Sequence, residues 1–216
     1  MYKIEREDLA EKAYEALKLM ILRGELPSGE KLLQESLAEN LGISRTPLCS
    51  ALAKLEKEML VTSLPRRGFY VNRLSLKELL DIYDIRLRLE PLGAGEAAER
   101  ASASQIADLE SAVNPPALAG VTENYRSFKE YDYRFHSLVM EISGNSFLSR
   151  MIRSFNIISL GNMQHFFKSP EQSIAEHRSL IEAIKHHDKT AAEKTMYTHI
   201  VHARQVIEKK LREENG

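Results

Sequence analysis

Four ionisable side chains, Asp132, His136, His177 and His199, fall on the apolar faces of helix-patterned segments, which constrains the fold of this chain more than any other feature. Groups of this kind are buried only when something pairs with them, so a fold that turns these faces inward must also bring the four a partner. Asp132 and His136 are four residues apart and share one helix face about a turn from each other, the geometry in which two side chains reach one ion. Phe128, Phe135, Val139 and Ile142 define the apolar side of that segment. His177 falls in the middle of an arc of Ile174, Leu180, Ile181 and Ile184, and His199 borders a stripe of Ala192, Met196, Ala203 and Ile207. His186 and His202 fall on polar faces, while His165, at the edge of another apolar face, is a reserve ligand. The alternative is a set of core histidines satisfied by carbonyls or hydroxyls.

A length of 216 residues suits one or two domains, and the patterning favours two, 1–73 and 74–216. One cysteine excludes an internal disulfide, and the charged start, MYKIERED, is unlike a secretory leader, so a cytoplasmic protein is expected. No apolar run is long enough to span a membrane. The net charge of −1 conceals an asymmetry. Between residues 40 and 73, Arg45, Lys54, Lys57, Arg66, Arg67 and Arg73 are opposed only by Glu56 and Glu58, as expected if one small surface meets an anionic polymer.

The expected fold is mainly α. Residues 7–23 form an amphipathic helix on Leu9, Ala13, Leu17, Met20 and Ile21 that stops at Gly24, before a turn at Pro27-Ser28-Gly29. Residues 34–41 form a short helix ended by Gly42, and Ser44 is a plausible N-cap for a third that runs to about Glu58. Pro47 is tolerated there because the first turn has no intrahelical donors to lose. Two short helices joined by a tight glycine-containing turn make a helix-turn-helix. The extended segments Leu60 to Leu64 and Gly68 to Asn72, bridged by Pro65-Arg66-Arg67, then make a small β-hairpin wing with a basic tip. Beyond Ser75 an all-α antiparallel bundle is expected, with helices from Ser75 to about Ala103, from Gln105, and over roughly 121–143, 146–168, 171–187 and 189–213. Asn114-Pro115-Pro116 to Gly120, Gly144 and Pro170 mark breaks.

In a helix-turn-helix the start of the second helix enters the major groove of double-stranded DNA, so Ser44, Arg45, Thr46 and Ser50 are candidates to meet bases and phosphates. Arg66 and Arg67 reach phosphates or the minor groove, and Gly68 allows close backbone approach. The alternative is a small helical domain with solvated surface charges.

The stretch LPSGEKLLQESLAENLGISRTPLCSALAKLEKEMLV followed by RRGFYV resembles the winged helix of the GntR family of bacterial transcription regulators, nearly continuously over residues 8–73. IRLRLEPLGA, DYRFHSLV, SGN, AEHRSLIEAI and MYTHIVHAR resemble the all-helical effector domain, called FCD, of its FadR-like subfamily. The resemblance implies a homodimer on a palindromic operator. It also implies a divalent metal held by a carboxylate and three histidines at the floor of an effector cavity, and the matching residues are Asp132, His136, His177 and His199. One departure is visible: where relatives read SRTPVREAL this chain has SRTPLCSAL, so Cys49 replaces an arginine often used to contact a base, and Ser50 its neighbouring glutamate. A thiol makes no bidentate bond to guanine, which changes the expected operator preference. A redox role for Cys49 is a further alternative.

One metal per chain is expected, zinc or nickel ahead of manganese by affinity order. Three neutral imidazoles and one carboxylate leave the site near +1, which suits an anionic oxygen of a small organic acid. Arg86, which matches a family arginine, is placed to fork to a second group of that acid; the alternative is an intrahelical pair with Glu90. Ser159 and Asn162, on the apolar side of their helix, are further effector candidates. The expected function is regulation of transcription by this acid, which reorients the helices and alters the separation of the recognition helices. A metal sensor, a metalloenzyme and an interaction module that does not bind DNA are the alternatives. The enzyme reading lacks a general base or nucleophile beyond the ligands themselves.

Overall fold

A computed structural model of the protein describes residues 9–113, 124–162 and 168–215. The break at Asn114-Pro115-Pro116 to Gly120 and the reserve ligand His165 lie outside these residues. The chain divides into two units, Met1–Arg73 and Leu74–Gly216.

In the first unit, α1 (Leu9–Arg23) buries Ala13, Tyr14, Leu17, Ile21 and Leu22, whereas Leu9, expected on this face, is exposed at the helix end. α2 (Gln34–Leu41) stops at Gly42, whose φ of 63° is the left-handed conformation that ends a helix without a Cβ clash. Ile43 N–H closes the turn by donating to the Ala38 carbonyl at 3.0 Å. α3 (Arg45–Lys57) then sets Leu48, Ala51, Leu52 and Leu55 into the core. Ser44 occupies its N-cap in extended backbone, but its side chain makes no capping bond.

The wing is a three-stranded antiparallel sheet rather than a lone hairpin. β2 (Val61–Leu64) and β3 (Gly68–Val71) pair as expected, and β1 (Lys31–Leu32) adds to the other edge of β3, with Lys31 opposite Tyr70 and Leu32 opposite Phe69. A two-residue strand carries no alternation signal; it exists because β3 offers it backbone partners.

The second unit is all-α among the described residues: α4 (Leu76–Arg100), α5 (Ala103–Ala112), α6 (Tyr125–Ile142), α7 (Ser146–Asn162), α8 (Pro170–Lys185) and α9 (Lys189–Asn215). α4 opens with a capping box between Ser75 and Glu78. A second box, Ser102 with Gln105, starts α5, so the α4–α5 break comes earlier than expected. α4 and α9 run antiparallel, with Gly95 against Glu193 at one end and Arg204 Nε donating to Asp84 at 2.6 Å toward the other. At Gly93 a Cβ would stand 2.5 Å from Met140 Sδ, so a larger residue there would have to displace the end of the Met140 side chain between α4 and α6. Among the described residues no helix is long and apolar enough to cross a membrane.

Candidate functional site

α6 places the first half of the cluster. Asn124 caps it by accepting from Arg126 and Ser127 N–H, and its broad inward face carries Phe128, Tyr131, Asp132, Phe135, His136 and Val139. α8, with Ser169 as cap and Pro170 in its first turn, sets His177 among Ile174, Leu180, Ile181 and Ile184. α9 brings His199 beside Met196 and Ile200. The four candidate ligand atoms of Asp132, His136, His177 and His199 all lie within 4.8 Å of one another, and all four residues are buried. His136 Nε2 and His177 Nε2 stand 3.1 and 3.3 Å from His199 Nε2, and Asp132 Oδ1 is 3.8 Å from the Nε2 of both His136 and His177.

The two separations from His199 match those of adjacent donors around one ion, because atoms about 2.1 Å from a metal at right to tetrahedral angles are about 3.0–3.4 Å apart, and Asp132 Oδ1 stands slightly farther out. The other ring nitrogens are engaged. His136 Nδ1 is 2.5 Å from Glu90 Oε2, His199 Nδ1 is 2.8 Å from Glu176 Oε2, and His177 Nδ1 is 2.8 Å from the Tyr131 hydroxyl. With Nδ1 carrying each proton, three Nε2 lone pairs converge on one point, an arrangement that repels itself unless a cation occupies the centre. Phe135 stacks on His177 at 3.8 Å between centroids and fixes its plane. Burial holds His177 and His199 well below the ordinary histidine range, helped by the neighbouring histidines and Lys168, so both are neutral and ready to coordinate at pH 7. The residues fit a divalent metal.

The sequence pointed to Glu90 only as a partner for Arg86, and to neither Glu90 nor Glu176 as a partner of the histidines. Glu90, fully buried, joins His136 to Arg86, whose Nε donates to Glu90 Oε1 at 2.5 Å. Burial alone would raise the Glu90 carboxyl, yet the Arg86 charge and His136 hold it at about 2. The intrahelical Arg86–Glu90 pair is therefore formed, and Arg86 also lines a cavity of about 30 Å³ with Tyr83, Asp132, Lys168 and His199. Glu176 gathers His199, His202 and Lys168. Burial lowers Lys168 to about 8, against the opposing charge of Asp132. The signal for Glu90 and Glu176 was their position, four after Arg86 and next to His177; what each touches across the bundle has no local trace. Asn162 is engaged at the start of α4, accepting from Leu74 N–H at 2.8 Å and donating to the Ile158 carbonyl at 2.9 Å. Ser159 is buried, and its Oγ has no partner among the described residues.

Replacing Glu90 with glutamine keeps the shape but removes the charge shared by Arg86 and His136. Metal affinity is expected to fall about 10–100-fold, the usual cost of losing a ligand's outer partner. The unpaired Arg86 should destabilise the protein by about 3–5 kcal/mol. Competition with a calibrated chelator and denaturant unfolding read the two effects separately.

In the first unit, Ser44, Arg45, Thr46, Cys49 and Ser50 are exposed along one side of the start of α3, and Arg66 and Arg67 are exposed at the wing tip. Ser50 Oγ donates to the Thr46 carbonyl at 3.2 Å, and Arg45 pairs with Glu35 of α2. Arg66 sits at a φ of 64°, costing about 1–2 kcal/mol for a residue with a Cβ, so the tip holds an arginine where glycine would be easier.

A family model described as bacterial regulatory proteins, gntR family, matches residues 9–71, and the FCD domain model matches residues 81–202. The HTH-type transcriptional regulator YdhC of Bacillus subtilis is 29% identical over 199 residues, covering 88% of this chain and 86% of that protein. The HTH-type transcriptional repressor RspR of Escherichia coli is 24% identical over 207 residues, covering 94% and 90%. The Galactonate operon transcriptional repressor of Escherichia coli is 28% identical over 204 residues, covering 83% and 88%. The structure of E. coli McbR/YncC superposes with a TM-score of 0.80 at 21% identity, covering 98% of this chain and 100% of that one, which shows the shared fold. The exposed helix-turn-helix and wing, the all-helical second unit and both matched models agree: this chain belongs to the GntR family, a DNA-binding transcription regulator with an FCD effector domain.

Proposed function

We propose that a small organic acid controls the operator affinity of this regulator by binding at a divalent metal held by Asp132, His136, His177 and His199. The observation that carries this is the convergence of three Nε2 atoms and a carboxylate within 4.8 Å, beside a cavity that Arg86 and Lys168 also line. When bound, a divalent ion supplies open positions for an anionic oxygen, with zinc or nickel favoured over manganese. Arg86 binds a second polar group of the acid, and Glu90 keeps its guanidinium in place. One relative takes its name from the galactonate operon, and galactonate is an organic acid.

At about 30 Å³ the cavity holds one or two waters and no organic acid. Its wall draws on α4, α6, α7, α8 and α9, so an acid is accommodated only if side chains or helices of this wall shift. The acid therefore binds an expanded state better than the state described, and that difference shifts the population. The protein acts as a homodimer on a palindromic operator. The test is a thermal-shift screen of the zinc-loaded full-length protein against organic acids, followed by gel shifts with DNA selected from a random pool. An acid that stabilises only the loaded protein and moves the gel-shift midpoint supports the reading. The small cavity favours a second reading, in which the ion itself is the signal. Protein that keeps its metal through dialysis, and changes DNA binding only when acid is added, excludes it.

Cys49 projects from α3 within 3.6 Å of Gln34 Oε1. Cys49→Arg is expected to favour operators with guanine at the facing position by about 1–3 kcal/mol, read by repeating the selection with the variant.

A further inference from the structure

A second cavity, of about 280 Å³ against about 30 Å³ for the one beside the metal cluster, lies along the turn between α6 and α7. Small-molecule sites begin near this size, at about 300 Å³. Glu141 at the end of α6 and Asn145, Ser146, Ser149, Arg150 and Arg153 at the start of α7 line it. Positions 146, 149, 150 and 153 share one helix face, so these side chains project to the same side. The turn beneath them is tied down. Ser143 Oγ accepts from Asn145 N–H and donates to the Met140 carbonyl, Asn145 Oδ1 accepts from Leu148 N–H at 3.1 Å, and Arg100 donates to the Ser143 carbonyl at 2.7 Å. The SGN motif thus fixes the rim of this cavity.

Its donors are left unmet. Ser149 is only 9% exposed, and its hydroxyl has no partner among the described residues. Arg153 pairs with Glu141 through a terminal nitrogen, while its Nε–H is buried with no partner among the described residues. Arg150 lies over the Phe147 ring, 4.7 Å from its centroid, and meets no carboxylate among the described residues. The first N–H groups of α7 have no intrahelical acceptor, and Asn145 Oδ1 takes only that of Leu148. Two guanidinium groups against one carboxylate leave the lining with one positive charge, to which the helix start adds about half a charge. We infer that this cavity binds the phosphoryl group of a small phosphomonoester, at a site separate from the metal cluster and independent of it. A guanidinium fork, a helix start and a hydroxyl offer donors from several directions, which suits a tetrahedral oxyanion better than a planar carboxylate. Met140 in the wall gives the carbon part of the ester an apolar surface.

The test is calorimetric titration of the metal-free full-length protein with glycerol 3-phosphate, glucose 6-phosphate, inorganic phosphate, sulfate, glycerol and acetate. At least one of the two esters is expected to bind, and to bind more tightly than inorganic phosphate or sulfate, while glycerol and acetate give no signal. Arg150→Ala should weaken the ester by about tenfold or more, and Ser149→Ala by about threefold or more, the usual cost of losing a hydrogen bond to a charged group. Without ligand both variants should melt with the native protein, because Arg150 is exposed and the Ser149 hydroxyl bonds nothing that its loss would leave unpaired. A weakened titration is then a lost contact and not a lost fold. Zinc loading should leave the affinity unchanged. Binding that appears only with zinc would place the phosphate on the metal and overturn the inference. So would inorganic phosphate or sulfate binding as tightly as the esters, both variants binding as the native protein does, or neither ester binding at all. None of these outcomes bears on whether an organic acid acts at the metal, which the acid screen decides by itself.

Discussion

Zinc titration of the His177→Ala protein should show no tight site, against one equivalent per chain for the native protein. His177 contributes one of three converging Nε2 atoms and lies 3.3 Å from His199 Nε2 and 3.8 Å from Asp132 Oδ1, so its removal opens the centre of the cluster. The drop in affinity should exceed the ~10–100-fold that follows removal of an outer partner. A metal free at 1,000 times its dissociation constant stabilises the native fold by about 4 kcal/mol, and this increment should vanish in the variant. Operator binding should survive in His177→Ala while its response to acid disappears, which a gel shift with and without acid reads directly.

The pH dependence of the metal-free protein has a definite sign. His177 and His199 stay neutral in the folded state well below the ordinary histidine value, because burial disfavours their charged forms. The unfolded chain takes up protons on them below about pH 6.5, so it binds more protons than the folded state and stability falls with falling pH. Each group contributes up to about 1.4 kcal/mol per pH unit, from pH 6.5 down to its folded value. At His177 and His199, competition between protons and metal accordingly begins below the ordinary histidine range. Denaturant unfolding of metal-free protein between pH 5 and 8 checks this, and the slope should flatten in the His177→Ala protein.

The second large effect is expected at the wing. Changing Arg66 and Arg67 together to alanine should weaken binding evenly across DNA sequences and flatten the slope of log affinity against log salt by about 2, near 0.9 for each phosphate no longer neutralised. Arg45→Ala should instead change which sequences are preferred. The Arg45–Glu35 pair does not stand in the way, since both side chains are largely exposed, at 64% and 82%, and such pairs contribute less than about 1 kcal/mol. Gel-shift titrations at several salt concentrations on specific and random DNA separate the two variants. An unchanged slope in the double variant would remove the wing tip from the interface.

Helical periodicity alone determined much of this molecule. The spacing of apolar residues, with Gly42, Ser75 and Pro170 as punctuation, placed the helices to within a few residues, because these signals act between neighbours in the chain. It also turned Asp132, His136, His177 and His199 inward, since a position on a helix face follows from residue number. Tertiary structure decided what those faces meet. β1 exists only because β3 offers it an edge, and Glu90 serves His136 only because α4 packs against α6. The choice between Asn162 and Asn156 shows the same limit. Both lie on α7 and share a chemistry, yet Asn162 is taken up by the start of α4 while Asn156 has no partner among the described residues. Which amide stays free depends on contacts between residues far apart in sequence, and one-dimensional spacing holds no record of them.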